Sequence, residues 1–198
     1  MKKFVLASNS PRRKELLNNC GYTFVVIPSD CDENTDESLS PRETVMELAR
    51  RKAMSVLKEN PDAVVLGCDT VVAVDGRILG KPADRDEALA MLMSLSGKKH
   101  IVVSGVCIAD KENCECFENT TEVEFYSLDS DTLNSYLDTL EYTDKAGSYG
   151  IQGYGSVLVR SIKGDYFSVM GLPVSECARV LSKFGIEGRV KVPFNVEK

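Results

Sequence analysis

A single histidine, His100, occurs among the 198 residues. A Ser-His-Asp relay or a two-histidine metal site would hang on that one ring. Carboxylates and oxygen-ligated metal are the better-supplied chemistry. Long hydrophobic runs are also lacking. No stretch approaches the roughly 18 apolar residues of a membrane span, so no membrane partner is expected. The run Phe4-Val5-Leu6-Ala7 is too short for a secretory signal, which points to the cytoplasm. Nor is there an excess of positive charge: 24 basic and 30 acidic residues give a formal -6. That argues against a broad nucleic-acid footprint but allows a small anion held by a few focused cations. The seven cysteines, odd in number and scattered, do not make a disulfide framework. Cys114-Glu115-Cys116 is the one close pair, with no partner ligands at zinc spacing, so the thiols read as reduced. Repeats, low-complexity tracts and Gly/Ser linkers are missing too, and one domain over 1–198 is expected.

What is present is an alternation of strand and helix signals. Phe4 to Ser8 reads as a strand, and Ser10-Pro11 then supplies a cap and a first-turn proline for a helix over 11–20, stopped by Gly21. Thr23 to Ile27 reads as a second strand, followed by an acidic loop from Asp30 to Glu37. Ser40-Pro41-Arg42-Glu43 opens a helix to about Lys58, with Val45, Leu48, Ala49, Ala53 and Val56 on one face. Ala63 to Val74 is a near-continuous apolar strand that turns at Asp75-Gly76. Asp84-Arg85-Asp86-Glu87 reads as a second capping box, for a helix ending at Gly97. Strands at about 101–109 and 117–127, a helix carrying Leu133, Tyr136, Leu137 and Leu140, strands at 156–162 and 165–169, and a helix from Pro173 to Phe184 complete the pattern. The expected fold is α/β, a mixed central sheet flanked by helices.

Six features carry candidate chemistry. At Ser8-Asn9-Ser10-Pro11-Arg12-Arg13 a strand feeds a helix start, so free N–H groups, a positive helix end and two guanidiniums fall together, which suits phosphate. A capped surface helix with solvated arginines would leave the same trace. Lys52 lies on the apolar face of its helix, where it either snorkels outward or meets something negative. Asp69 interrupts an apolar strand, and a carboxylate there needs a metal, a cation or a strand-end cleft; the plainer account is an aspartate capping a turn. Glu33 gains meaning only beside Asp69, since two carboxylates and phosphate oxygens suit magnesium. Gly76-x-x-x-Gly80-Lys81 falls one residue short of a nucleotide P-loop, and Pro82 replaces its hydroxyl residue, leaving Lys81 as a point charge for phosphate or a solvated hairpin-end lysine. Finally, four glycines within Gly147 to Gly155 suit close approach of backbone to a ligand.

Leu6-Ala7-Ser8-Asn9-Ser10-Pro11-Arg12-Arg13, Asp69-Thr70-Val71-Val72, Gly80-Lys81-Pro82, Asp144-Lys145-Ala146-Gly147-Ser148-Tyr149-Gly150-Ile151-Gln152-Gly153 and Gly171-Leu172-Pro173 together resemble the Maf family of nucleoside triphosphate pyrophosphatases. The resemblance covers about 4–185. It implies an inosine-triphosphatase-like fold with two lobes around a long cleft. It also implies hydrolysis of a nucleoside triphosphate to monophosphate and pyrophosphate, with magnesium or manganese, and a homodimer. Arg12, Thr70 and Gln152 stand where the dTTP/UTP branch has arginine, threonine and glutamine, whereas the 7-methyl-GTP branch typically has tryptophan at the place of Arg12. Cys68, Ser148 and Tyr142 depart from the usual alanine, alanine and proline. From these residues, Asp69 is expected to be the general base and, with Glu33, a metal ligand. Arg12, Arg13, Lys52 and Lys81 neutralise the triphosphate, Ser8 and Ser10 bond phosphate oxygens, and Thr70 and Gln152 read the pyrimidine edge. The family's link with arrest of septum formation makes a non-catalytic nucleotide-binding regulator the rival reading.

Overall fold

The computed structural model describes residues 2–36 and 38–192; Glu37, at the end of the acidic run, lies outside them. In chain order the main elements are β1 (Lys3–Leu6), α1 (Pro11–Asn19), β2 (Val25–Val26), α2 (Pro41–Glu59), β3 (Ala63–Val74), β4 (Arg77–Leu79), α3 (Arg85–Leu95), β5 (Lys99–Ala109), β6 (Cys114–Phe125), α4 (Ser130–Leu137), β7 (Val159–Lys163), α5 (Tyr166–Met170) and α6 (Val174–Lys183). Short 3-10 turns occupy Ala146–Ser148 and Gly153–Leu158. The strands form one mixed seven-stranded sheet in the order β2-β1-β3-β5-β6-β7, with β4 on β3. β1 pairs in parallel with both β2 and β3, while β3–β4 and β6–β7 are antiparallel. No described helix is long and apolar enough to cross a membrane.

Local rules account for most element starts. The Ser40 box is complete: its hydroxyl accepts from the Glu43 N–H while Glu43 Oε2 accepts from the Ser40 N–H at 2.8 Å. The Asp84 box closes differently. Asp84 accepts from the Glu87 N–H at 2.9 Å, but Glu87 reaches one residue further back, to the Ala83 N–H at 2.7 Å. One expectation fails outright: 165–169 is not a strand but the start of α5. Asp165 Oδ1 accepts from the Phe167 N–H at 2.8 Å and caps a helical turn, and Thr121 Oγ1 holds the Asp165 backbone N–H and carbonyl at 2.9 and 3.1 Å. The strand expected over Thr23–Ile27 shrinks to two residues.

The chain divides into two compact units, each built from separated segments. The first comprises 1–69, 104–119 and 171–198; the second comprises 70–103 and 120–170. In the first, Val5, Ala7, Ala49, Ala53, Val56, Val65 and Cys107 form a core of small and β-branched side chains. In the second, Leu92, Leu95, Phe125, Tyr136, Leu137 and Tyr149 make a bulkier, aromatic core.

Candidate active site

In the first unit the polar chemistry begins where α2 lies on the sheet. A β-carbon at Gly67 would fall 2.2 Å from the Ala49 carbonyl oxygen, and one at Gly105 would fall 2.5 Å from the Val45 carbonyl carbon. Glycine at these two positions, on β3 and β5, therefore lets the α2 backbone rest directly on the strands. Lys52 rides on that helix and is 8% exposed. Its Nζ donates to Asp69 Oδ1 at 2.7 Å and pairs with Glu33 Oε1 at 2.9 Å. Burial alone would lower the pKa of the ammonium, but the facing Asp69 and Glu33 outweigh it and hold Lys52 above its ordinary value. Its contribution to stability is thus fully present below the unfolded-state value and is lost as pH rises through the folded one.

Lys52 accordingly does not snorkel outward: it meets negative charge, and the structure joins it to Asp69 and Glu33, the two carboxylates expected to act together. The preceding residue on α2 completes the hold on the acidic loop. Arg51 Nη1 donates to the carbonyls of Asp32 and Asn34 at 3.3 and 2.7 Å, while its Nε pairs with Glu47 Oε1 at 2.8 Å. Arg51 was not singled out from the sequence, although its i,i+4 spacing from Glu47 was visible. Each carboxylate gives one oxygen to the ammonium, and a carboxylate has two. Glu33 and Asp69 therefore fit a hard divalent cation as well as they fit Lys52.

The start of α1 belongs to the same unit. Pro11 opens the helix, and Ser10 Oγ caps it by accepting from the Arg13 N–H. Ser8 Oγ, largely buried, accepts from the Ser10 N–H at 3.2 Å and from Arg13 Nη1 at 3.0 Å. Arg13 Nε donates to the Gly171 carbonyl at 2.9 Å, and Cys68 Sγ donates to that carbonyl at 3.2 Å. Arg13 and Cys68 thus share the Gly171 carbonyl, and Arg13 is also bonded to Ser8. Arg12 is half-buried in the first turn of α1.

Thr70, Lys81 and Gln152 belong to the second unit. Thr70 is half-buried, Lys81 is exposed just past β4, and Gln152 is half-buried before a 3-10 turn that its side chain does not cap. The glycines around Gln152 have a structural cause the sequence did not reveal. Glu141 accepts from the N–H groups of Tyr154 and Gly155 at 2.7 and 3.0 Å, and a β-carbon at Gly153 would sit 2.3 Å from its Oε2. Gly147, at φ 68, faces Val72, where a β-carbon would be 2.9 Å from the side chain. Close packing within the unit explains these glycines. His100 is buried against Tyr149, its Nε2 2.8 Å from the hydroxyl, and burial lowers its pKa to about 4. It is a neutral core residue at ordinary pH.

The mixed α/β sheet thus carries a helix start with two arginines and an ammonium clamped by two carboxylates. The chain belongs to the Maf family: the model of Maf-like proteins matches residues 3–184. It is 50% identical to the dTTP/UTP pyrophosphatase of Bacillus velezensis over 186 residues, 94% of this chain and 98% of that one. The Bacillus pumilus dTTP/UTP pyrophosphatase is 49% identical over the same shares of both chains, and that of Bacillus cereus strain G9842 is 48% identical over 187 residues. A solved structure, the Staphylococcus aureus Ham1 protein, aligns at TM-score 0.41 and 19% identity over 63% of this chain and 72% of that one, too slight a likeness to argue from.

Proposed function

We propose that this protein is a nucleoside triphosphate pyrophosphatase acting on dTTP and UTP, releasing the monophosphate and pyrophosphate in a nucleotide-pool house-cleaning role. The observation that carries the reading is the half-identity to relatives of that name along 94% of the chain. Lys52 with Asp69 and Glu33 supplies a matching centre. In this reading Asp69 accepts a proton from water as the water oxygen bonds to the α-phosphorus. The bond from that phosphorus to the β-bridging oxygen breaks, and its electrons leave with pyrophosphate. Lys52 orients Asp69 Oδ1 and adds positive charge. Arg12, Arg13 and Lys81 neutralise the phosphates, and Ser8 and Ser10 bond their oxygens. A divalent cation, magnesium or manganese, would be held by Glu33 and Asp69 and would stabilise charge on the phosphate oxygens. Thr70 and Gln152 read the base, since an amide matches the O4/N3–H edge common to uracil and thymine. The proposal includes a cytoplasmic setting and a homodimer, which light scattering at twice the chain mass would test.

The experiment is pyrophosphate release from a panel of triphosphates, with and without magnesium or manganese, for the wild type and Asp69→Asn. Turnover should favour dTTP and UTP, and the variant should lose about 10³-fold or more while still binding nucleotide. Binding of UTP without release by the wild type would instead make the protein a nucleotide-binding regulator.

A further inference from the structure

The pair Cys114 and Cys116 gains a third thiol on folding. The hairpin between β5 and β6 is closed by the Asp110 N–H donating to the Asn113 carbonyl at 2.9 Å, and Asp110 Oδ1 accepts from Glu112 and Asn113 N–H groups. Counting three residues back on each side of that turn sets Cys107 opposite Cys116. Cys114 and Cys116 share one face of β6, two residues apart. The three Sγ atoms lie within 4.8 Å of one another, with Cys107 to Cys114 at 3.5 Å and Cys114 to Cys116 at 3.9 Å. Tetrahedral zinc, with zinc–sulfur bonds of about 2.3 Å, sets its sulfurs about 3.8 Å apart. The sulfurs are therefore near that spacing already.

We propose that Cys107, Cys114 and Cys116 form a binding site for a thiophilic divalent cation of the zinc type, with water as the fourth ligand. Burial is graded in the way such a site needs. Cys107 is buried, Cys116 is half-buried and Cys114 is exposed, so the ion has an anchored floor, a route of entry and an outward fourth position. Cys107 belongs to the small-residue core of the first unit and Cys116 packs against it, which limits the access of water to the inner side of the cluster. Three thiolates and a dication leave one negative charge, and the Arg50 guanidinium acts electrostatically on both Cys114 and Cys116. Glu115 alternates to the other face of β6, where Lys183 holds its two oxygens at 2.6 and 2.7 Å, so it does not compete for the ion. Binding releases the thiol protons to solvent. None of these residues takes part in the proposed hydrolysis, so the site stands or falls separately from it.

The test is titration of the reduced full chain with Co²⁺ alone. A one-to-one thiolate-to-cobalt charge-transfer band should grow in the near ultraviolet and be displaced by Zn²⁺; carboxylate-bound cobalt gives no such band. Cys114→Ser and Cys116→Ser, both at solvent-reaching positions, should each weaken cobalt binding about 10²-fold, whereas Cys31→Ser should leave it unchanged. Zn²⁺ should also shield Cys114 of the wild type from alkylation, read by mass spectrometry. The proposal is overturned if the wild type gives no band, if the band survives in the double variant, or if alkylation of Cys114 is indifferent to Zn²⁺.

Discussion

The two compact units bury polarity in different currencies. The first keeps an ammonium and a carboxylate largely out of solvent, with Lys52 and Asp69 side chains 10% and 14% exposed. The second buries neutral groups, His100 against Tyr149, and shapes its loop with backbone N–H groups bonded to Glu141. A buried charge needs a partner at a fixed distance, so the first unit must press α2 onto the sheet with glycines at 67 and 105. A neutral ring carries no net charge to offset, and His100 takes one partner, the Tyr149 hydroxyl at Nε2, with close neighbours around it. His100, Phe125 and Tyr149 meet edge to face with centroids 4.7 to 5.5 Å apart. The first arrangement fixes charged groups at set distances, the second packs a rigid neutral frame.

The sharpest way to break this contrast is to remove the charge from the first unit. Lys52→Met should lower kcat by about 10²–10³-fold, measured as pyrophosphate release, through loss of the group that orients Asp69. An unchanged kcat would reduce Lys52 to a structural ion-pair partner. Gly67→Ala comes next, because its new methyl meets helix backbone rather than a flexible side chain. Urea unfolding should show a loss of about 3 kcal/mol, whereas Gly80→Ala, with nothing within 4 Å of the added carbon, should change stability by less than about 0.5 kcal/mol. Equal effects would show that α2 does not depend on close approach.

The second unit is probed by pH. His100 has a folded-state pKa of about 4 against an ordinary value of 6.5, so the unfolded chain takes up its proton first. Stability from this residue is complete above pH 6.5 and falls as pH drops toward 4, by at most about 3 kcal/mol. Urea midpoints at pH 7.5, 6 and 5 should show that slope, and His100→Gln should flatten it. The smallest effect is expected at Gln152→Ala: about a tenfold shift in kcat/KM between UTP and CTP, with little change in the better of the two rates. A uniform loss on all triphosphates would remove its reading role.

Where the sequence was legible, the rule was local. The Ser40 box, the proline start of α1 and the bounds of Ala63–Val74 follow from residues within a turn or from a continuous apolar run. The glycines near Gln152 were also conspicuous, but their cause was not, because Glu141 lies 12 residues before Gly153 and nothing in the spacing announces the contact. The error at 165–169 has the same origin. An apolar stretch suits strand or helix alike, and the Thr121 hydroxyl, on β6 and far off in sequence, sets Asp165 as the cap.

By itself the sequence determined most element types, the capped helix starts, the oddly placed Asp69 and Lys52, and the family likeness. Caps, periodicity and unusual residues are short-range properties written into the order of side chains. Only the tertiary structure decided that Lys52 bridges Asp69 and Glu33, that Arg13 and Cys68 share the Gly171 carbonyl, and that Cys107 joins Cys114 and Cys116. Those juxtapositions depend on which strand lies beside which and how closely a helix rests on them, and packing of the whole chain fixes both.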